Sequence, residues 1–173
     1  MSISKSIIDT TQEYIDENAY FFQELPINLE ELIKKEGINV INYPFEDDIS
    51  GVLVIEEDNV TIGINKKSIN VRKRFTLAHE LGHYKLHTQK SKMFMDNVFF
   101  RKKSEGYTSK EEKIEKEANY FAANILMPES LVKKEIIELS CDLHDDSTIA
   151  SLANKFEVSS SAMTFRLINL GLI

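Results

Sequence analysis

An α+β domain, with a small and mostly antiparallel sheet packed among helices and a helical tail behind it, is what this 173-residue chain predicts. Three observations predict it. β-branched and aromatic side chains concentrate in three short runs between residues 38 and 64. Apolar residues at helical spacing flank those runs on both sides. From Glu129 onward only short amphipathic helices follow, the last two spaced as a pair. The length suits one compact body with a small appendage, divided at 1–128 and 129–173.

Composition narrows the function classes. With 42% hydrophobic and 28% charged residues the chain reads as a soluble globular protein. A net charge of −7 argues against a general electrostatic grip on nucleic acid, leaving room only for a local basic patch. The single cysteine, Cys141, rules out a disulfide framework and points to a reducing compartment. Met1–Ile8 has no apolar core of signal-peptide length, and no window reaches the apolar length that spans a bilayer. A cytoplasmic protein without a membrane partner is expected.

Residues 3–20 place Ile3, Ile7, Ile8, Thr11, Tyr14 and Ile15 at helical spacing, and an apolar hinge runs through Tyr20–Phe22 and Leu25–Ile27. Asn28 caps a short helix, with Glu31 three residues on, and Gly37 stops it. Ile38–Tyr43 reads as a strand ended by Pro44, followed by the acidic turn Glu46–Asp48. Gly51–Ile55 and Val60–Ile64 should pair as a hairpin, and such a sheet can offer an edge to an extended peptide. Asn65–Lys73 is a polar, basic connection in which Asn70 is expected to cap the next helix.

That helix carries the chemistry. Arg74–His87 contains three of the four histidines and the pattern His79-Glu80-x-x-His83. On a helix His79 and His83 lie one turn apart on one face, where their imidazoles can share one zinc ion. Glu80 is rotated by roughly 100° from His79, beside the metal rather than on it, where a general base for an attacking water belongs. Gly82 costs about 1 kcal/mol relative to alanine in a helix interior, which makes sense if another backbone approaches closely there. His87 is one turn further along the ligand face, within reach of a substrate or oxyanion contact, but reads more simply as a surface histidine at the helix end. Such a site needs a third protein ligand.

Residues 88–108 read as an irregular stretch. Met93–Met95 and Val98–Phe100 suit a strand or flap, Arg101–Lys103 a solvated basic patch, and Ser104–Gly106 a loop. The next helix is marked by Ser109 and Glu112 as a capping box and ended by Pro128. Projecting 110–127 at roughly 100° per residue gives an apolar stripe from Phe121 through Ile114, Ile125, Ala118 and Ala122 to Leu126. Glu115 falls inside the stripe, whereas Glu117 falls outside it among Lys113, Tyr120 and Asn124. A carboxylate on a core-facing stripe is costly unless paired or bound to metal, so Glu115 is the third-ligand candidate. Asn119, one turn on, is placed to hydrogen-bond a ligating histidine or a water. Ala118 and Ala122 are small enough to admit Gly82.

Beyond Pro128, Leu131, Val132, Ile136 and Leu139 make one amphipathic segment and Cys141–Asp146, with His144, a polar break. Ile149–Phe156, a turn at Glu157-Val158 and Ser159–Leu170, stopped by Gly171, then resemble a helix-turn-helix in spacing. From Ser147 the tail holds only Lys155 and Arg166 as basic residues, thin for gripping a phosphate backbone. Structural or partner-docking use is the favoured reading.

Three blocks resemble the ImmA/IrrE family of metallo-endopeptidases: Arg74–His83, the run Glu115–Ala123 with Leu126-Met127-Pro128, and Phe156–Ser159 with Arg166–Ile173. In outline the resemblance covers residues 25–173. It implies a zincin-like catalytic fold, zinc on His79, His83 and a glutamate of the second block, and Glu80 as catalytic acid/base. Family members cut helix-turn-helix repressors and so relieve repression of mobile elements, phage or stress genes, which implies a repressor as the protein substrate here. The resemblance leaves Glu115 and Glu117 side by side, and the helical projection favours Glu115. The competing expectation is a non-enzymatic regulator that binds a partner or DNA through its C-terminal helices, with zinc purely structural.

Overall fold

The computed structural model describes residues 3–46, 49–57, 59–88, 98–100, 109–139, 143 and 145–173. The readings at Asp47-Asp48, Met93–Met95, Arg101–Gly106, Cys141 and His144 lie outside the described residues. Helix α1 spans Lys5–Glu17 and is followed by a 3-10 turn at Ala19–Phe22. Helix α2, Leu29–Lys35, starts where the Asn28 side chain accepts a hydrogen bond from the Glu31 N–H at 3.2 Å. It ends at Gly37, whose φ of +72° is the left-handed conformation that glycine adopts without penalty.

Strands β1 (Ile38–Tyr43), β2 (Gly51–Glu56), β3 (Asn59–Asn65) and β4 (Val98–Phe100) form one sheet in the order β1-β3-β2-β4. Two of its pairings, β2 with β3 and β2 with β4, are antiparallel, while β1 runs parallel to β3. The β2–β3 hairpin is tight: Glu56 pairs with Asn59, and Glu57 turns the chain at a φ of 50°. In β1 only Ile38 is buried, so Val40, Ile41 and Tyr43 project from an open edge.

Helix α3 covers Asn70–His83 and continues through a π-helical turn at Tyr84–Thr88. Asn70 does not cap it. The Ile69 carbonyl already accepts the N–H groups of Arg72 and Lys73, which leaves Asn70 inside the first turn. Helix α4 (Ser109–Leu126) lies along α3, and α5 (Glu129–Leu139), α6 (Asp146–Phe156) and α7 (Ser160–Asn169) complete the chain.

A continuous apolar core joins these layers. Leu53, Ile62 and Ile64 from the sheet meet Leu77, Ala78 and Leu81 from α3 and Phe121, Ala122 and Ile125 from α4. Of the apolar stripe projected for α4, Ala118, Phe121, Ala122, Ile125 and Leu126 are inaccessible and Ile114 is half-buried, while Glu117, projected outside the stripe, is buried as well. Tyr14 of α1 packs against Phe121, with ring centroids 5.3 Å apart and the rings tilted by 48°.

Two polar anchors tie the C-terminal helices to the rest. Arg166 of α7, only 5% exposed, donates to the Met127 carbonyl at 2.8 Å and to Asn124 Oδ1 at 2.9 Å. Glu157, in a left-handed turn between α6 and α7, pairs with Arg74 of α3 at 3.3 Å. The basic residues of the α6–α7 pair are thereby engaged within the fold, since Lys155 meets Glu135 at 2.5 Å. Among the described residues no helix is long and apolar enough to cross a membrane.

Candidate metal centre and active site

The site is built where α3 is squeezed between the sheet and α4. Every residue from Thr76 to His83 is buried, which requires close approach on two sides. On the α4 side, a Cβ added to Gly82 would lie 3.2 Å from the Ala118 carbonyl oxygen and from Phe121. On the sheet side, a Cβ on Gly51 would meet the Thr76 methyl at 2.3 Å and the Glu80 carboxylate at 3.5 Å. Only glycine at 51 lets the start of β2 reach Glu80.

The loop that delivers Gly51 is pinned. Asn65, at the end of β3, donates its side-chain amide towards the carbonyls of Phe45, Glu46 and Ile49 at 3.3, 3.2 and 2.9 Å. Arg72 at the start of α3 donates to Ser50 Oγ at 2.6 and 3.1 Å. Neither anchor is written in a local sequence pattern.

Between α3 and α4, three potential ligand groups converge. The Nε2 atoms of His79 and His83 are 2.9 Å apart, and the two carboxylate oxygens of Glu115 lie 3.4 Å from His79 Nε2 and 3.1 Å from His83 Nε2. A tetrahedral zinc ion with bonds of ~2.0–2.1 Å sets its ligand atoms about 3.3 Å apart. The three observed separations bracket that value. Among the described residues this His-His-Glu trio is the cluster able to hold a metal ion. The donor set, two imidazoles and one carboxylate, also suits zinc.

Electrostatics agree with that geometry. Burial opposes ionisation of Glu115, but hydrogen bonds and the fields of His79 and His83 outweigh it and hold the carboxyl well below the usual carboxylate range. An ionised Glu115 is the form a cation needs. His79 is fully buried, and its far nitrogen, Nδ1, meets Asn119 Oδ1 at 3.0 Å. The Phe75 ring lies beside His79, centroids 6.2 Å apart. Glu80 is 1% exposed, on the sheet side of the same helix turn.

Two residues behave differently from their sequence reading. His87 is no surface residue: its side chain is 8% exposed, with Nδ1 3.1 Å from His83 Nδ1 and Nε2 3.2 Å from Glu117 Oε2. Burial, assisted by the neighbouring His83, pushes its pKa down to about 4. Of Glu115 and Glu117 on α4, Glu117 is the more deeply buried, 10% exposed at the side chain against 25% for Glu115. Burial therefore does not distinguish the glutamates; the partner does. Glu117 faces His87, and Glu115 faces the His79–His83 pair. The wider π turn carries His87 over Glu117, which a projection of α4 alone cannot show.

Comparison with known proteins accords with this picture. The family model described as the IrrE N-terminal-like domain (Peptidase_M78) matches residues 33–167. The chain belongs to this peptidase family. Within it, the chain is an α+β, zincin-like and metallopeptidase-like protein. It is 32% identical over 104 residues to the uncharacterized immunity region protein 2 of Bacillus phage phi105. That match takes in 60% of this chain and 61% of the phage protein, so the chain spans about three-fifths of the relative's length. A Mycobacterium tuberculosis transcriptional regulator superposes with a TM-score of 0.63 at 17% identity, covering 92% of this chain and 46% of that one. At that identity the likeness shows the fold alone.

Proposed function

We propose that the protein is a zinc-dependent endopeptidase whose substrate is a protein regulator, a helix-turn-helix repressor, and whose action relieves repression of a mobile element, phage or stress genes. The observation that carries the reading is the convergence of His79, His83 and Glu115 beside a buried Glu80. In it His79, His83 and Glu115 hold the ion. The bound ion supplies a Lewis acid that polarises the scissile carbonyl and lowers the pKa of a water toward ~7.

The chain's own groups do the rest. Glu80 takes the proton of the attacking water and later passes it to the leaving amine. A Cβ at Gly51 would come within 3.5 Å of its carboxylate, so the start of β2 packs closely beside Glu80 and holds it on the sheet side of the helix turn. Asn119 accepts a hydrogen bond from His79 Nδ1–H, which turns Nε2 of that ring toward the other ligands. Hydrolysis also needs an extended substrate segment beside these residues, and the sheet's edge strands are the surfaces suited to receive one.

A regulator as substrate is supported by the phage immunity-region relative and by family membership. In this reading residues 1–128 do the chemistry and 129–173 form a helical part that docks the partner, clamped by Arg166 and Glu157. The outer face of α7 carries exposed Phe165 and Ile168, while its arginine is turned inward. Such a face suits a protein better than a phosphate backbone.

The test is cleavage of the helix-turn-helix regulator encoded beside this chain, with and without chelator. Native protein with zinc is expected to cut it, and Glu80→Gln to keep zinc but leave the regulator whole. Derepression that proceeds unchanged with Glu80→Gln contradicts the enzyme reading and favours a regulator with structural zinc.

A further inference from the structure

Beyond the three ligand candidates, the structure assigns a role to a pair of buried side chains. We infer that His87 and Glu117 form a positioning relay that holds His83 in the tautomer whose Nε2 is free for the metal. The inference rests on the metal-site reading above.

Proton bookkeeping along the contacts carries it. His83 Nε2 faces His79 and Glu115, so a ligating His83 keeps its lone pair there and its proton on Nδ1. That Nδ1–H is 3.1 Å from His87 Nδ1. It can be donated only if His87 offers a lone pair at Nδ1 and so carries its own proton on Nε2. His87 Nε2 is in turn 3.2 Å from Glu117 Oε2, a carboxylate able to accept it. Each nitrogen then has one role, and the chain reads His83 N–H to His87, His87 N–H to Glu117. The reverse assignment puts the proton of His83 on Nε2 and destroys the ligand.

The relay is enclosed. The side chains of His83, His87 and Glu117 are 3%, 8% and 10% exposed, so water competes weakly for these bonds. The π turn at Tyr84–Thr88 brings His87 to this place, and π turns inside helices concentrate at functional sites. The two histidine ligands are thus supported unequally. His79 rests on a neutral amide, Asn119, whereas His83 rests on an imidazole backed by a carboxylate. A carboxylate at the far end of a histidine ligand raises its basicity as well as orienting it, and losing such a partner typically weakens metal binding 10- to 100-fold.

The experiment measures zinc affinity by chelator competition for the native chain, His87→Phe, Glu117→Leu and Glu117→Gln. Circular dichroism of each is recorded alongside. His87→Phe and Glu117→Leu should bind zinc about 10- to 100-fold more weakly, and Glu117→Gln should recover part of the loss, because its amide oxygen still accepts the His87 N–H. The second readout is the ¹⁵N spectrum of the histidine rings in the zinc-loaded protein, tractable with four histidines and assigned by the signal missing in His87→Phe. His87 should be the neutral Nε2–H tautomer in the native chain and lose that preference in Glu117→Leu, a shift that a packing role alone does not produce. Native zinc binding with unchanged affinity in all three variants, or an Nδ1–H His87, overturns the relay alone. A native chain that binds no zinc overturns the metal-site reading and the relay with it.

Discussion

Replacing Gly51 with alanine probes the contact on which the position of Glu80 depends. The new Cβ would stand 2.3 Å from the Thr76 methyl and 3.0 Å from the Gly63 carbonyl oxygen, and Thr76 is only 1% exposed. Neither neighbour can swing into solvent, so β2 and α3 must separate. Overpacking of this kind costs about 1–3 kcal/mol, while the alanine restricts the unfolded chain and returns roughly 0.4–1 kcal/mol. The expected net loss is about 1–2 kcal/mol, or a fall in Tm of roughly 2–8 °C for a chain of this size. Urea unfolding and thermal melts measure it. Thr76→Ser removes the methyl that the Cβ would strike, so Gly51→Ala combined with Thr76→Ser should be more stable than the two single losses added together, by about 1 kcal/mol or more. Peptidase activity should fall in Gly51→Ala and return in part in the double variant. A Gly51→Ala protein as stable as the native one, or strictly additive variants, would refute the close packing assigned to this turn.

Three further outcomes follow from other parts of the fold. Asn119→Leu removes the acceptor for His79 Nδ1–H and should weaken zinc binding about 10- to 100-fold without unfolding the chain, read by chelator competition. Arg166→Met leaves the Met127 carbonyl and the Asn124 side chain without their charged donor and should cost about 2–4 kcal/mol in urea unfolding. Tyr14→Phe concerns a phenol whose pKa burial, with the Glu36 carboxylate, drives far above its ordinary value of 10.0. A raised folded-state pKa holds the proton more tightly than the unfolded chain does, so its contribution is intact below pH 10 and lost as pH climbs beyond it. The native chain should therefore lose alkaline stability faster than Tyr14→Phe, with little difference at pH 7, as Tm against pH will show.

What could be read in the sequence was what is local and periodic. His79 and His83 four residues apart specify a shared helix face whatever surrounds them, and the projection of residues 110–127 found the face that carries Ala118, Phe121 and Ala122 into the core. The same projection singles out Glu115, which the structure brings to the His79–His83 pair. Burial on that helix does not single it out, because Glu117 is buried too and differs in meeting His87. That meeting depends on a π turn, which changes the angular step along the helix and is not signalled by any one residue. Asn65, Arg72 and Gly51 were illegible for a different reason. Each acts on a partner brought near by strand pairing, as Asn65 does on the carbonyls of Phe45 to Ile49, and a parallel β1–β3 pair is set by topology rather than by pattern.

The central claim is that His79, His83 and Glu115 together hold a metal ion, and zinc content after equilibrium dialysis tests it most directly. The native chain and Glu80→Gln should each retain about one zinc per chain, and Glu115→Ala should retain almost none while Glu117→Gln keeps most of it. Full zinc retention by Glu115→Ala, or its loss in Glu80→Gln, would contradict the site.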